Sequence, residues 1–113
     1  MRYSTLGRTG LEVSEIGFGA WAIGGPSTLG DVEIGWGEVD DATSVAALET
    51  AFQIGINFYD TADVYGAGHS EKLIGRTFTD RREKIVISSK VGNHVTDEGE
   101  WRKDFSPEWI KTA

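Results

Sequence analysis

One stretch of the chain indicates the fold more clearly than any other: GINFYDTADVYG, residues 55–66. Its first part, Ile56 to Tyr59, is a short apolar run rich in β-forming residues, which predicts a buried strand. Asp60 stands where that run ends, and Tyr65 follows in a loop that contains Gly66. Polar side chains at the C-terminal ends of short apolar strands are typical of α/β enzymes, which display catalytic groups there. The stretch therefore predicts a functional edge built on Asp60 and Tyr65.

A second strand of the same kind leads to a lysine. The run Lys84 to Ser89 is again short and β-rich, and Lys90 follows it directly. A helical pattern lies between the two runs, and the order strand, helix, strand predicts parallel strands joined by a right-handed crossover. Because parallel strands end on the same side of a sheet, we expect Asp60, Tyr65 and Lys90 to converge.

Two helical patterns are recognisable around the central stretch. The first begins at Asp40 or Asp41, either of which can cap it, and Gly55 occupies the C′ position at its end. Its predicted apolar stripe is Val45, Leu48 and Phe52, with Ala47 and Ala51 beside it. The second helix is expected to begin near His69 or Ser70. Its predicted buried face is Leu73, Ile74 and Phe78.

The N-terminal part predicts a hairpin and one more strand. Leu6 and the segment Leu11 to Val13 flank a turn-forming stretch, so we expect a hairpin across Tyr3 to Ser14. The run Glu15 to Ala22 follows and predicts the first strand of the sheet. The side chains expected on the inner face of that sheet are Phe18, Phe58 and Val86.

The sequence GFGAWA, residues 17–22, also satisfies the loose GxGxxG/A dinucleotide-binding fingerprint. That fingerprint requires a helix to open on the glycines, so that its N-terminus meets the pyrophosphate. Here a long glycine-rich loop follows instead, from Gly24 to Val39 with Trp36 inside it, so we reject the Rossmann interpretation. A second long polar loop is predicted from Gly92 to Phe105, and it carries Trp101.

The composition is that of an ordinary globular protein, with 39% hydrophobic and 26% charged residues. A net charge of −7 without any basic run argues against a nucleic-acid partner. No apolar run has the length of a membrane span and the N-terminus lacks a signal-peptide pattern, so we expect a cytoplasmic protein that does not bind membranes. The chain has no cysteine, and His69 and His94 form no ligand cluster, so no metal is expected.

Several motifs, in their order and spacing, resemble those of the aldo-keto reductases. They are LGRTGLEVS at residues 6–14, GFGAW at 17–21, NFYDTADVYG at 57–66, SE at 70–71 and ISSKVG at 87–92. The resemblance covers essentially all 113 residues and implies a (β/α)8 TIM barrel whose bottom is closed by the N-terminal hairpin.

A complete barrel of that kind needs about 250 residues, and roughly 200 is a practical minimum. We therefore expect residues 1–113 to be the N-terminal part of a truncated barrel, an α/β fold of about three β/α units preceded by a β-hairpin. Only five residues follow the helix start at Ser106-Pro107-Glu108, which supports the expectation of a truncation.

The same resemblance implies a chemistry for the three polar residues. A phenol, with an ordinary pKa of about 10, donates a proton poorly unless a nearby ammonium stabilises the phenolate. In the resembling family the residue matching Tyr65 is the general acid, Lys90 supports it, and Asp60 pairs with the lysine and touches the nicotinamide ribose. The expected catalytic residues are thus Asp60, Tyr65 and Lys90. The expected cofactor-binding residues are Gly19, Ala20, Trp21 and Asp60.

The implied function is reduction of aldehyde or ketone carbonyls to alcohols by hydride transfer from NADP(H), with NAD possible as the cofactor and a small carbonyl compound as the substrate. The family's catalytic histidine and its site for the adenosine phosphate would lie beyond residue 113, so we expect the fragment alone to be inactive. Two alternatives stay open: a non-catalytic binding protein resembling potassium-channel β subunits, and a partial barrel that serves as an interaction module. The oligomeric state is not predicted.

Taken singly, each of the three residues also has an ordinary structural interpretation. Asp60 could cap a turn, Tyr65 could pack in its loop, and Lys90 could be a solvated strand end. Their combination at matching strand ends, inside extended family motifs, favours the catalytic interpretation over three separate structural ones.

Overall fold

The computed structural model describes residues 1–29, 31–96 and 100–113; Gly30 and residues 97–99, which belong to the two predicted loops, lie outside the described residues. The chain opens with β1 (Tyr3–Thr5) and β2 (Glu12–Ser14), an antiparallel pair. The predicted hairpin is thus confirmed, although Leu6 and Leu11 belong to its turn, where the Leu6 amide donates to the Leu11 carbonyl at 2.8 Å.

The remaining elements follow in chain order. They are β3 (Phe18–Gly19), a 3₁₀ turn (Ala22–Gly24), β4 (Thr28–Leu29), β5 (Val32–Glu33), α1 (Asp41–Gln53), β6 (Phe58–Asp60), α2 (His69–Thr77), a second 3₁₀ turn (Arg82–Lys84), β7 (Val86–Ser88), β8 (Asn93–Val95), β9 (Trp101–Lys103) and α3 (Pro107–Thr112).

The central sheet has the order β3–β6–β7, and both of its strand pairs are parallel. Strand β6, which carries Asp60, lies in the middle. The three predicted parallel strands are confirmed, but each is shorter than the run that predicted it. Only Phe18 and Gly19 of the first run pair with β6, opposite Tyr59 and Asp60.

Helix α1 begins and ends where its capping residues predict. The Asp40 carboxylate accepts a hydrogen bond from the Thr43 amide at 2.7 Å, and Gly55 has a φ of +94° just after the helix. The buried face differs in one place from the predicted stripe: Ala47 is exposed and Ser44 is buried. Ser44 tolerates burial because its hydroxyl donates to the Asp40 carbonyl at 3.0 Å.

The hydrophobic core lies between the sheet and the two longer helices. The predicted buried face of α2 is confirmed, since Leu73, Ile74 and Phe78 are all almost fully buried. The ring of Tyr59 packs on Phe78 with 4.9 Å between the centroids, and Leu48 reaches the same cluster from α1. This core holds β6 against both helices and so fixes the position at which Asp60 leaves the sheet.

The register of the sheet decides which side chains share a face. Phe18 pairs with Tyr59, and both contact the core on the helix side, with 5.8 Å between their rings. The expectation that Phe18 faces inward is therefore wrong. Phe58 and its register partner Val86 do lie on the opposite face, because successive strand residues alternate sides.

Each of the two predicted loops contains a small antiparallel hairpin, which the sequence interpretation missed. Strands β4 and β5 pair within the segment from Gly24 to Val39, and β8 and β9 pair within the segment from Gly92 to Phe105. The predicted C-terminal helix start is confirmed, since the Ser106 hydroxyl accepts from the Trp109 amide at 3.2 Å. No helix of the described residues is long and apolar enough to cross a membrane.

The N-terminal hairpin docks at the N-terminal end of β6, opposite the end that carries Asp60. Asn57 makes this junction, because its side chain accepts from the Ser14 amide at 2.7 Å and donates to the Glu12 carbonyl at 3.0 Å. The Tyr3 hydroxyl adds a hydrogen bond of 2.8 Å to the Gly55 carbonyl. The hairpin thus leaves the other end of the sheet free for the site.

Candidate active site

The chain segments that leave β6 and β7 continue side by side beyond the sheet. The Thr61 amide donates to the Ser88 carbonyl at 2.8 Å, and the Asp63 amide donates to the Lys90 carbonyl at 3.1 Å. These backbone hydrogen bonds extend the parallel pairing past the last ladder residues. They hold Lys90 beside the residues that follow β6, which brings its side chain within reach of Asp60.

The Lys90 ammonium makes three contacts at this edge of the sheet. It donates to Asp60 Oδ2 at 2.8 Å, to the Thr61 carbonyl at 2.7 Å and to the Tyr65 hydroxyl at 3.3 Å. An ammonium has three N–H donors, so this set satisfies all of them. The structure therefore brings the three predicted polar residues together around one nitrogen. Thr61 is a member that the sequence did not reveal, because it takes part through its backbone carbonyl.

The charge of Lys90 is favoured by these contacts. Partial burial lowers the pKa of the Lys90 ammonium, but its hydrogen bonds to Asp60 and Tyr65 and their electrostatic attraction raise it by more, so the pKa lies above its ordinary value. The side chains remain open to solvent, at 51% exposure for Lys90 and 42% for Asp60. Lys90 is consequently a stable positive charge beside the Tyr65 hydroxyl and accessible from outside.

Aromatic rings cover one face of Tyr65. Trp21 stacks on it with 5.9 Å between centroids and 22° between planes, and Trp36 meets Trp21 edge-on at 5.9 Å. Trp21 is one of the residues expected to bind the cofactor. The sequence predicts Trp36 only as a loop residue. In the structure it lies beyond β5, is 64% exposed and contacts Trp21.

The Tyr65 loop and the turn after β3 meet at two glycines. Gly66 has a φ of +62°, and a Cβ there would collide with the carbonyl of Gly24. A Cβ on Gly24 would in turn lie 2.8 Å from the backbone of Tyr65. Because both residues are glycines, the two backbones can approach this closely. The close approach places Trp21, on one segment, beside Tyr65 on the other.

A family model described as the aldo/keto reductase family matches residues 15–113. The chain belongs to this family. The match spans both strand ends and every residue of the cluster around Lys90. It also covers the sequence motifs from residue 17 onward, whereas the motif at residues 6–14 precedes the match.

Individual relatives of the aldo/keto reductase family agree with this assignment. The aldo-keto reductase YhdN of Bacillus subtilis is 36% identical over 93 residues, which is 80% of this chain and 26% of that protein. A probable voltage-gated potassium channel subunit beta of Oryza sativa subsp. japonica is 35% identical over 109 residues, 91% of this chain and 30% of that protein. The chain therefore spans roughly a third or less of the length of these relatives.

Among solved structures, the holo form of aldo-keto reductase AKR11C1 from Bacillus halodurans superposes with a TM-score of 0.80 at 31% identity. The superposition covers 99% of this chain and 33% of that one. Structures of this family are (β/α)8 barrels, and the fold described above is a part of such a barrel. The predicted fold class, a partial TIM barrel preceded by a hairpin, is confirmed.

The residues expected to bind a cofactor in this aldo/keto reductase chain differ in accessibility. A Cβ placed on Gly19 would meet no atom within 4 Å, so the backbone there is open. Trp21 and the side chain of Asp60 are about half exposed. Ala20 is fully buried; its amide donates to the Asp60 carbonyl and its carbonyl accepts from the Ser70 hydroxyl, both at 2.8 Å. Ala20 therefore offers no free group to a ligand and instead anchors the segment that carries Trp21.

Proposed function

We propose that this chain carries the proton-donating part of an NADP(H)-dependent oxidoreductase that reduces aldehydes or ketones to alcohols, with NAD as the alternative cofactor. The observation that carries the proposal is the Lys90 ammonium, which is hydrogen-bonded to both Asp60 and the Tyr65 hydroxyl. Membership of the aldo/keto reductase family supports the same reaction class.

In this proposal Tyr65 is the general acid. Its hydroxyl donates a proton to the carbonyl oxygen as negative charge develops there. Lys90 stabilises the phenolate that remains, because its positive charge lies 3.3 Å from the phenol oxygen. Asp60 holds the ammonium in position at 2.8 Å and keeps it charged. When bound, the nicotinamide cofactor supplies the hydride that adds to the carbonyl carbon.

The residues near the site fit the nicotinamide end of such a cofactor. The open backbone at Gly19 would allow a flat ring to approach β3 closely. The half-exposed carboxylate of Asp60 is an acceptor for a sugar hydroxyl. Trp21, which stacks on one face of Tyr65, would contact the nicotinamide ring or the substrate.

A second candidate function is a binding protein of the same fold without turnover. The observation that favours it is the similarity to the rice protein described as a probable voltage-gated potassium channel subunit beta. The presence of Asp60, Tyr65 and Lys90 does not distinguish the enzyme from the binding protein, because a protein that only binds the cofactor can also contain these three residues. Turnover decides between them.

The test is carbonyl reduction with NADPH and with NADH over a panel of aldehydes and ketones, measured on this chain and on any longer product of its gene. We expect the chain of 113 residues by itself to show little or no turnover, because it spans about a third of the length of its relatives. In an active protein, Tyr65→Phe should reduce kcat by about 10²- to 10⁴-fold while cofactor binding survives.

Tyr3→Phe is the matched control, because it also removes one phenol hydroxyl but at the opposite end of the sheet, where Tyr3 contacts Gly55. It should leave kcat unchanged. Equal turnover of the Tyr65→Phe variant and the parent would remove Tyr65 as the acid. Cofactor binding without turnover of any carbonyl compound would favour the binding-protein candidate.

A further inference from the structure

We propose that Ser70 is a positioning residue for the site, and that its buried hydroxyl ties together the two chain segments that hold Lys90 and Trp21. The inference rests on the proposed function only for its effect on catalysis. Its structural part concerns a row of buried polar groups behind the site, formed by the hydroxyls of Thr61 and Ser70 and the carbonyl of Ala20. Of these three residues only Ser70 belongs to helix α2.

The row runs from Thr61 through Ser70 to Ala20. Ser70 and Thr61 are 0% and 1% exposed, and their hydroxyl oxygens lie 2.9 Å apart. The Ser70 hydroxyl donates to the Ala20 carbonyl at 2.8 Å. A serine hydroxyl has one proton, so the hydroxyl of Thr61 must be the donor between the first two. The direction of the row is therefore Thr61 to Ser70 to Ala20.

Both ends of this row reach the site directly. The carbonyl of Thr61 accepts the shortest hydrogen bond of the Lys90 ammonium, at 2.7 Å. Ala20 is followed by Trp21, the ring that stacks on Tyr65. The amide of Ser70 also donates to the Tyr65 carbonyl at 3.2 Å. One residue of α2 thus connects to the segments that place the ammonium, the stacking ring and the phenol.

Removal of the Ser70 hydroxyl would leave the Thr61 hydroxyl and the Ala20 carbonyl unpaired in a place that water does not reach. Buried polar groups without partners are costly, so both segments would shift toward other partners. A shift of Thr61 would weaken the contact of its carbonyl with Lys90, which favours the charged ammonium. The expected consequence is an altered site and not only a less stable protein.

Helix α2 offers a matched control for a purely structural role. The Thr77 hydroxyl is also buried and donates to the Leu73 carbonyl at 2.8 Å, but this hydrogen bond stays within the helix. Thr77→Val therefore deletes a buried hydroxyl of the same helix without touching the row. Thr61→Val is a second test variant, since it keeps the shape of the side chain and breaks only the link to Ser70.

The experiment compares Ser70→Ala, Thr61→Val and Thr77→Val with the parent protein. The first readout is the alkaline titration of Lys90, which is monitored by NMR of ¹³C-labelled lysine. The Lys90 signal is assigned by its absence in a Lys90→Met variant. This readout needs no turnover and so tests the positioning role even if the proposed function fails. The second readout, in an active protein, is kcat and KM for carbonyl reduction.

We expect Ser70→Ala and Thr61→Val to move the Lys90 titration to lower pH and to reduce kcat by about tenfold with little change in KM. Thr77→Val should lower only the melting temperature. An unchanged Lys90 titration in the two test variants would overturn the inference. If Ser70→Ala does not fold, the result for Thr61→Val decides in the same way. A shifted titration in a protein without turnover would support the positioning role and count against the proposed function.

Discussion

The ammonium of Lys90 lies 2.8 Å from the carboxylate of Asp60, although 30 residues separate the two along the chain. Each leaves the C-terminal end of its own strand, and the two strands are neighbours with parallel register. Because the pair is half exposed, its worth to stability is small. Its consequence lies instead in the charge that it keeps beside the Tyr65 hydroxyl.

The first prediction concerns Asp60→Asn. The change removes the negative charge that favours the Lys90 ammonium, so the pKa of Lys90 should fall relative to that of the parent protein. NMR titration of labelled lysine measures the shift. In an active protein, carbonyl reduction should fall as well. Glu15→Gln is the control, because Glu15 forms an ion pair of the same 2.8 Å length with Arg2 at the hairpin. A Lys90 titration that does not respond to Asp60→Asn would contradict the role given to that contact.

The second prediction concerns the buried phenol of Tyr59. Burial raises the pKa of Tyr59 to about 12, the charge of Glu49 adds to this effect and Arg81 opposes it. The folded value thus lies above the unfolded value of about 10, so folding favours the neutral phenol. This contribution is fully present below pH 10 and is lost as the pH rises toward 12. The loss should be about 2–3 kcal/mol of unfolding free energy.

Tyr59→Phe removes the titrating group and should flatten that part of the pH dependence. Denaturant unfolding of both proteins at several alkaline pH values measures the difference. Other groups also titrate in this range, so the informative quantity is the difference between the two proteins. Parallel curves for parent and variant would show that Tyr59 ionises as easily in the folded chain as in the unfolded one.

The third prediction concerns Arg81, which joins α1 to the end of α2. Its guanidinium lies over the rings of Phe52 and Phe78, 5.1 and 5.4 Å from their centroids, and it forms an ion pair with Glu49. Both charged side chains are largely buried. Arg81→Met should lower the free energy of unfolding by about 2–4 kcal/mol, because the carboxylate of Glu49 loses its partner in a poorly solvated place.

Arg102→Met provides the comparison for Arg81, since the Arg102–Glu100 pair is exposed on both sides. Its effect should remain below about 1 kcal/mol. Denaturant unfolding measures both variants. Equal effects of the two substitutions would mean that the aromatic rings and the burial around Arg81 add nothing to the stability that Arg81 provides.

The fourth prediction concerns the sheet edges. Within the described residues, β3 and β7 pair on one side only. Unpaired edges favour association with other chains, and several large apolar side chains are exposed as well. We expect the isolated 113-residue chain to be poorly stable as a monomer or to associate; light scattering and thermal circular dichroism test this. A monomer with a sharp transition at high temperature would instead favour the interaction-module alternative.

Much of the fold and the three polar residues of the site follow from the sequence itself. Short apolar runs that end in Asp60 and Lys90, separated by one amphipathic helix, predict parallel strands whose ends meet. The caps of α1 at Asp40 and Gly55 are equally local signals. The strands, the helix and its caps are determined by hydrophobic periodicity and turn chemistry, which act over a few residues. The meeting of the strand ends then follows from the strand, helix, strand order, which makes the strands parallel.

Other parts of the site depend on the tertiary structure alone. The Thr61 carbonyl on Lys90 has no sequence signal, because every residue has a carbonyl and only the packing decides which one faces an ammonium. The side of the sheet on which Phe18 lies depends on register, and a shift of one residue reverses it. Ser70 resembles any residue of a helix N-terminus until the fold places its hydroxyl between Thr61 and Ala20, because contacts between distant segments are fixed by packing and not by local pattern.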